Sequence, residues 1–332
     1  MNDDAPLAEA ATFEALLREA ASLHPFSTLS PERSTFAGLD SLADHYAARW
    51  RETLTRIGDA AVLITAPMAQ SFAAIVGALR AGLALSLAPS EIRARELHAA
   101  IVASDATLLA GPVRFAGLPV GEIMCRVALD EERISLVATH GGGLPGVLAL
   151  DEPRESYSIY EPRSAGAPIR LAPMRGGPSA RFDEAELIAA AEAIVRSARI
   201  QAGDQILTTL SCASAAGLVA GPLAALISGA RLIFHAPFDT RSFQTALDAA
   251  APVHLVAPEA VAPAFDSAGL LNHGRVASLV LSCATEPEAP PVQGALGDAP
   301  LVYVSAGPWG GVRVEAAQQG PVSDETGEPH DA

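Results

Sequence analysis

The sequence predicts an α/β protein made of two similar halves, each with a mainly parallel sheet flanked by helices. The first observation is that short aliphatic runs alternate with amphipathic helical segments, an order typical of parallel sheets. The second is that the order strand, loop, helix, glycine, strand occurs twice, opening at Gly58 and again at Gly203. The third is the composition, because 50% hydrophobic and 18% charged residues are typical of a globular chain and not of a disordered or fibrous one.

The periodicity of apolar residues predicts the elements of the first half in chain order. Apolar residues that recur every three to four positions indicate helices, and short continuous aliphatic runs indicate buried strands. The predicted elements are a helix at 13–23, a helix at 39–54, a strand at 60–65, a helix at 71–80, a strand at 83–87 and a helix at 91–104.

The second copy repeats this order and sets the predicted organisation. Its elements are a strand at 205–210, a helix at 218–227 and a strand at 230–235. Between the copies, alternation over 135–138 and 156–160 predicts antiparallel strands at a sheet edge. The predicted parts are an N-terminal helix and loop at 1–34, a first half at 35–165, a second half at 166–315 and a disordered acidic tail at 316–332. We expect a crevice at the carboxyl ends of the strands.

The charges exclude several classes of function. The 332 residues contain no lysine, so all 22 positive side chains are arginines, against 38 acidic residues and a net charge of −16. Without lysine, Schiff-base chemistry and a Walker phosphate loop are excluded. The acidity and the lack of a basic run argue against a nucleic-acid partner.

Cysteine usage and the N-terminus favour a reducing compartment. Cys125, Cys212 and Cys283 are far apart and show no metal-ligand spacing, so we expect buried thiols. The acidic N-terminus lacks the apolar core of a secretory signal, and the longest apolar stretches are shorter than a bilayer requires. These features predict a cytoplasmic protein with no metal site and no membrane association.

A series of short segments resembles a known family. The segments are 58–64, 78–82, 87–89, 201–204, 215–218, 227–230 and 279–282. From about Thr35 to about Val312 their order and spacing resemble the adenylate-forming enzymes, which include acyl-CoA synthetases, the adenylation domains of peptide synthetases and luciferases. The resemblance implies the two α/β halves of that family's large N-terminal domain, with carboxylate and ATP bound in the crevice between the halves and a small C-terminal domain.

The family's phosphate loop has only a remnant here. The loop ends in Pro-Lys-Gly in the family, whereas this chain keeps Arg175, Gly176, Gly177 and Ser179 without the lysine. Successive glycine N–H groups form anion-binding concavities, and an arginine could supply the charge. A weak anion site and a plain surface loop are both compatible with this segment.

The family's magnesium and adenine motif, Tyr-Gly-x-Thr-Glu, is also altered. The alignment places Pro308 at the position of the magnesium-binding carboxylate, and proline offers no side-chain oxygen to a hard cation. Tyr303 and Trp309 lie close by in the sequence. They either stack on a nucleotide base or serve as core and rim aromatics in a turn.

The carboxylate pocket of the family corresponds to two small-residue segments. Ser214 and Gly217 lie at the start of one predicted helix, and Ser282 and Cys283 end a predicted strand. Small side chains at both places leave space for an acyl or aryl group, and they also occur where a helix packs closely on a strand. Separately, 140–143 (His-Gly-Gly-Gly) is similar to the oxyanion loop of esterases, but no Gly-x-Ser-x-Gly elbow accompanies it.

These departures predict a catalytically degenerate protein that acts as a binding or scaffolding subunit in a carboxylate or acyl pathway. We expect no cofactor, neither ATP or AMP nor Mg²⁺, because the groups that hold them in the family are missing. The resemblance stops after Val312, before the family's ribose-binding aspartate and C-terminal lysine. We therefore expect the strand at 301–304 to be covered by a second copy or by a pathway protein, and an acyl or aryl small molecule as ligand. The alternative is a divergent ATP-dependent acyl- or aryl-activating ligase that uses arginines or a partner chain for the missing groups.

Overall fold

The secondary-structure elements alternate as the sequence predicts. The computed structural model describes residues 12–30, 34–53, 55–152, 168–171, 180–250, 252–271, 274–283, 296, 298–306 and 311–317. The strands are β1 (Thr28–Ser30), β2 (Ser34–Thr35), β3 (Ala60–Thr65), β4 (Ala84–Pro89), β5 (Leu108–Pro112), β6 (Leu136–His140), β7 (Leu148–Ala149), β8 (Ile169–Leu171), β9 (Ala180–Phe182), β10 (Gln205–Thr208), β11 (Arg231–Phe234), β12 (Val253–Pro258), β13 (Val276–Cys283), β14 (Leu301–Ala306) and β15 (Val312–Ala316). The helices are α1 (Phe13–Leu23), α2 (Phe36–Glu52), α3 (Ala69–Arg80), α4 (Ala94–Ser104), α5 (Val120–Asp130), α6 (Glu184–Ala198), α7 (Ala215–Leu218), α8 (Ala224–Ser228), α9 (Thr240–Ala250) and α10 (Ala262–Ser267).

The first sheet has the order β7-β6-β5-β3-β4-β8-β9 and is parallel except for the β8–β9 pair. The prediction of an antiparallel edge strand at 135–138 is wrong, because β6 runs parallel to β5 with Leu136 beside Leu108. Helix α5 connects the two strands, and a helical crossover returns the chain in the same direction. The other predicted edge strand, at 156–160, lies outside the described residues.

The second sheet has the order β15-β14-β13-β12-β10-β11-β1-β2, with antiparallel pairs at its two ends. Strand β1 pairs with β11, placing Leu29 beside Leu232, so the N-terminal segment joins the second sheet. Strands β8 and β9 extend the first sheet beyond the expected boundary at residue 165. The expected tail begins inside β15 at Ala316, and its residues from 318 onward lie outside the described part.

The predicted pair of α/β halves is confirmed, and the halves share one core. Apolar side chains of the first sheet, among them Leu63 and Leu85, and of the second, among them Val256 and Val280, belong to one buried cluster with α2, α3 and α6. Helices α4 and α5 cover the other face of the first sheet, and α9 and α10 that of the second. Within the described residues, no helix is long and apolar enough to cross a membrane.

The predicted helix at 218–227 is interrupted. Helix α7 continues through a π turn at Val219–Leu223 into α8, and Pro222 lies inside this turn. Proline lacks the N–H that an α-helix requires, so the chain accommodates it by a wider turn. The short helix α7, which precedes this turn, contacts β13 and β14.

Candidate functional site

A cleft of about 410 Å³ lies where the carboxyl ends of strands from both sheets meet. The first half contributes residues that follow three strands: Pro67 after β3, Glu91 after β4, and Phe115, Ala116 and Leu118 after β5. The second half contributes residues that follow two strands: Thr209 and Ser211 after β10, and His235, Ala236, Pro237 and Phe238 after β11. This is the edge at which open α/β sheets bind ligands, and the volume suits a small molecule.

The wall from the first half is a tight turn that exposes an apolar side chain. Phe115 and Leu118 exchange backbone hydrogen bonds of 3.0 and 2.8 Å. Ala116 and Gly117 between them have φ values of 49° and 82°, the left-handed pair found in two-residue hairpin turns. The turn leaves Leu118 37% exposed at the cleft, with the half-buried ring of Phe115 beside it.

The wall from the second half is a cluster of aromatic rings. The imidazole of His235 lies edge-on to Phe243 at 5.2 Å and to Phe238 at 6.0 Å between ring centroids. Phe265 stacks on Phe243 behind them at 5.0 Å. Such offset and edge-on contacts stabilise aromatic clusters. The outermost ring, Phe238, is 52% exposed and presents an aromatic surface to the cleft.

His235 carries a buried polar atom without a partner. Its backbone N–H donates to Thr208 O at 2.8 Å and fixes the residue at the end of β11. Its Nε2 is buried and has no hydrogen-bond partner among the described residues. An unpaired buried polar group costs about 1–3 kcal/mol, so a hydrogen bond from a ligand group that reached Nε2 would be stabilising.

The charged group in the described lining of the cleft is a carboxylate. Glu91 is the one lining residue with a carboxylate, and its Oε1 accepts a hydrogen bond from Ser90 Oγ at 2.9 Å. Asp239 follows Phe238 and caps α9, where hydrogen bonds from Ser242 and Arg241 lower the pKa of its carboxyl. None of the described residues that line the cleft is an arginine.

Two of the predicted pocket residues shape the turn beside this cleft. Ser214 Oγ donates to Ser211 O at 3.2 Å and accepts from the N–H of Gly217 at 3.0 Å, which makes Ser214 the N-cap of α7. A Cβ on Gly217 would lie 2.1 Å from Ser211 O. Ser211 itself lines the cleft, so this pair positions one of its walls.

The other two predicted pocket residues lie on opposite faces of β13, because side chains alternate along a strand. Cys283 belongs to the core between the second sheet and α9 and α10, whereas Ser282 shares its face with Val280 and the core that contains α7. Burial and a hydrogen bond to Glu259 raise the pKa of the Cys283 thiol to about 12. The structure therefore does not place Ser282 and Cys283 together in one pocket.

Tyr303 lies on β14 on the same face as Cys283. Burial, followed by the charges of Cys283 and Glu259, raises the pKa of its phenol to about 12. The ring packs in the core formed with α9 and α10 and does not line the cleft. Trp309 lies outside the described residues.

The predicted phosphate-loop residues, Arg175, Gly176, Gly177 and Ser179, also lie outside the described residues. The strands on either side of them are described. Arg170 and Arg181 lie directly opposite each other across the β8–β9 pair, and Arg170 Nη1 donates to Ala103 O at 2.6 Å. Burial, together with the charge of Arg181, lowers the pKa of the Arg170 guanidinium.

The backbone N–H groups of the His-Gly-Gly-Gly loop bind a carboxylate of the chain itself. The N–H groups of Gly141 and Gly142 both donate to Asp151 Oδ2, the second at 3.2 Å, and Tyr46 Oη donates to Asp151 Oδ1. Burial lowers the pKa of the adjacent His140 to about 4, although the negative charge of Asp151 acts in the opposite direction and raises it. With its donors engaged by Asp151, the loop does not serve as an oxyanion hole.

A serine, a histidine and an aspartate form a row near the amino ends of the strands of the second sheet, away from the cleft. His254 Nδ1 is 2.8 Å from Ser278 Oγ, and its Nε2 is 3.0 Å from Asp204 Oδ2. A nucleophile must reach its substrate, but Ser278 is fully buried. This row connects β12 and β13 with Asp204, which directly precedes β10. Elsewhere in the described part of the chain, no cluster of three or more histidine, cysteine or acidic side chains could hold a metal.

Comparison with known proteins relates the fold to solved enzyme structures. No protein-family model and no curated protein sequence matches the chain. Apo MbtA from Mycobacterium smegmatis superposes with a TM-score of 0.73 and 22% identity, over 92% of this chain and 58% of MbtA. The N-terminal subdomain of Klebsiella oxytoca NpsA, in complex with 3-hydroxybenzoyl-AMSN, gives 0.69 and 16% over 93% of this chain and 76% of that one. Acetoacetyl-CoA synthetase from Streptomyces lividans gives 0.70 and 15% over 89% and 51%.

This is the fold of the N-terminal domain of adenylate-forming enzymes. The resemblance read from the sequence is confirmed at the level of the fold. The chain spans 58% of the length of MbtA and about half that of the acetoacetyl-CoA synthetase.

Cleft residues from five separate loops were not predicted. The signal that could have found them is their position, because Pro67, Glu91, Phe115, Thr209 and His235 each follow the carboxyl end of a strand within a few residues. The sequence predicts that edge as the ligand edge, but not which loops meet there.

Proposed function

We propose that this chain is a catalytically degenerate protein with the adenylate-forming fold, which binds an acyl or aryl group in a carboxylate pathway. One observation carries the proposal. The described lining of the cleft is apolar and aromatic, with a carboxylate and no cationic side chain. Such a surface favours an apolar organic group over a polyphosphate.

The residues present do not fit a nucleoside triphosphate with its magnesium ion. Phosphoryl and adenylyl transfer depend on lysine, arginine and metal charges that neutralise the phosphates. This chain contains no lysine, and it has proline at position 308, where the family's pattern has a magnesium-binding carboxylate. Glu91 would repel a phosphate placed in the cleft.

The size and the rings of the cleft support a small aryl or acyl ligand. Phe238 and Leu118 face it from opposite halves, so a planar ring between them would bury apolar surface on both sides. Burial of this kind contributes about 25 cal/mol per Å² removed from water. Among the solved structures with this fold, NpsA binds 3-hydroxybenzoyl-AMSN and AuaEII binds anthranoyl-AMP, which is consistent with an aryl ligand here.

Isothermal titration calorimetry with a set of acyl and aryl compounds tests the binding role. The set contains benzamide, benzoate, hexanamide and hexanoate, titrated into the wild type, Phe238→Ala and Leu129→Ala. Phe238 lies in the cleft, whereas Leu129 is 86% exposed and does not line it. We expect binding by the wild type and Leu129→Ala, and about tenfold weaker binding by Phe238→Ala. Equal binding by the two variants, or no binding by the wild type, would contradict the proposal.

A further inference from the structure

We propose that the cleft selects its ligand by charge, accepting aromatic compounds that carry an ammonium, amino or hydroxyl group and disfavouring carboxylates and phosphates. The inference rests on the proposed binding role of the cleft. It names Glu91 as the residue that determines this preference and His235 as the hydrogen-bond partner of the ligand.

The first support is the arrangement of charges around the cleft. Glu91 is exposed and lines the cleft, and the exposed Asp239 follows the lining residue Phe238 in the sequence. Arg114, beside Phe115, lies 3.6 Å from the carboxylate of Glu122. The chain as a whole has a net charge of −16, which adds a long-range bias of the same sign.

The second support is the aromatic surface next to the carboxylate. A cation over the face of a phenyl ring is attracted by the ring quadrupole, and aromatic groups together with carboxylates recognise organic ammonium ions in proteins. The cleft offers the half-exposed ring of Phe238 and the half-buried ring of Phe115 on either side, with Glu91 also in its lining. The negative charge of an anionic ligand would gain no such attraction from the faces of these rings.

The third support is the unpaired nitrogen of His235. Nε2 is buried beside the cleft with no partner among the described residues, in a ring held by Phe238 and Phe243. A polar ligand group that came within hydrogen-bond distance of this atom would complete a missing hydrogen bond, as donor or acceptor according to the imidazole tautomer.

A matched series of aromatic probes tests the inference. Benzylamine, benzyl alcohol and benzoate have similar rings and differ in charge, and their affinities are measured by calorimetry at pH 8. The proteins are the wild type, Glu91→Gln and the control Glu132→Gln, which removes one negative charge at an exposed position that does not line the cleft. Unchanged melting temperatures verify that the variants fold.

We expect the wild type to bind benzylamine about tenfold more tightly than benzoate, with benzyl alcohol between them. Glu91→Gln should weaken the binding of benzylamine about fivefold and leave the affinity for benzyl alcohol unchanged. The affinities of Glu132→Gln should match those of the wild type. If benzoate binds as tightly as benzylamine, or if the two variants behave alike, the charge selection is wrong and the binding role stands. If none of the three probes binds, the charge selection and the aryl-binding role both fail, and the acyl-binding role is decided by the titrations of hexanamide and hexanoate.

Discussion

Gly217 packs against the carbonyl oxygen of Ser211, and a Cβ at position 217 would lie 2.1 Å from that oxygen. The same turn is held by Ser214, whose hydroxyl connects the two residues through hydrogen bonds of 3.2 and 3.0 Å. Since Ser211 lines the cleft, the absence of a side chain at Gly217 determines the position of one cleft wall. A residue that the family resemblance assigns to a substrate pocket thus acts here through backbone packing.

Gly217→Ala should destabilise the protein by about 3 kcal/mol, because the methyl group can be accommodated only by moving backbone. Gly143→Ala is the control, since its Cβ would meet only Ala149 Cβ at an ordinary 3.5 Å. Urea denaturation followed by circular dichroism measures both variants. Equal free energies of unfolding would show that the turn is not constrained as described.

Asp151→Ala should cost about 2–3 kcal/mol in the free energy of unfolding. Its carboxylate accepts hydrogen bonds from Gly141, Gly142 and Tyr46, and its removal leaves these donors unsatisfied. The neighbouring Glu152→Ala is the control, because the Glu152 side chain is 64% exposed and its ion pair with Arg49 should contribute less than about 1 kcal/mol. Comparable losses in the two variants would contradict the assigned role of Asp151.

His140 should make the protein less stable as the pH falls from 6.5 to 4. Burial lowers the pKa of His140 to about 4 in the folded state, so between these values the unfolded chain binds a proton that the folded chain does not. Its contribution to stability is complete above pH 6.5 and decreases by up to about 3 kcal/mol on acidification.

The variant His140→Phe keeps an aromatic ring beside Tyr46 and removes this titration. Urea denaturation at pH 7 and at pH 4.5 should show a smaller loss of stability on acidification in the variant than in the wild type. An identical pH dependence would show that His140 is protonated normally in the folded protein.

Association of this chain with a second copy or another protein remains a prediction, but the structure moves the expected contact away from the strand at 301–304. Strand β14 contains 301–304 and has neighbours on both sides in the sheet, β13 and β15, so it needs no partner strand. Among the described strands β15 is the outermost, and along it Arg313 and Glu315 alternate with Val312 and Val314. A two-fold antiparallel pair of β15 strands centred on Val314 would place Arg313 of one copy opposite Glu315 of the other.

Light scattering should therefore give twice the monomer mass of 34.1 kDa at micromolar concentration. Arg313→Glu should shift the equilibrium toward the monomer, and the double variant Arg313→Glu/Glu315→Arg should restore the dimer. A monomer mass at all concentrations, with no copurifying protein, would contradict both forms of the partner prediction.

Much of the fold could be predicted from local patterns, because buried elements leave continuous apolar signals. The strand at Ala60–Thr65 and the helix at Phe13–Leu23 have the predicted bounds. The direction of β6 could not be predicted from its alternation, since parallel and antiparallel edge strands share that pattern and the crossover helix α5 decides between them. The single helix predicted at 218–227 is wrong at Pro222, where the chain forms a π turn.

The candidate site was less predictable than the fold. Ser214 and Gly217 were found, because the resemblance identified the segment, but their role depends on a backbone contact that no sequence pattern carries. Cys283 and Ser282 are adjacent in sequence, and strand alternation separates them. The cleft residues come from loops that only the packing of the two sheets brings together.

Pyrophosphate exchange by the purified chain tests the proposed loss of adenylation most directly. The assay contains ATP, Mg²⁺ and the carboxylates benzoate, anthranilate, hexanoate and acetoacetate, with an active adenylate-forming enzyme as positive control. The chain has no lysine, and the described lining of its cleft has no cationic side chain, so we expect exchange no greater than in the protein-free blank. Exchange that depends on both Mg²⁺ and a carboxylate would contradict this proposal and favour the divergent ligase.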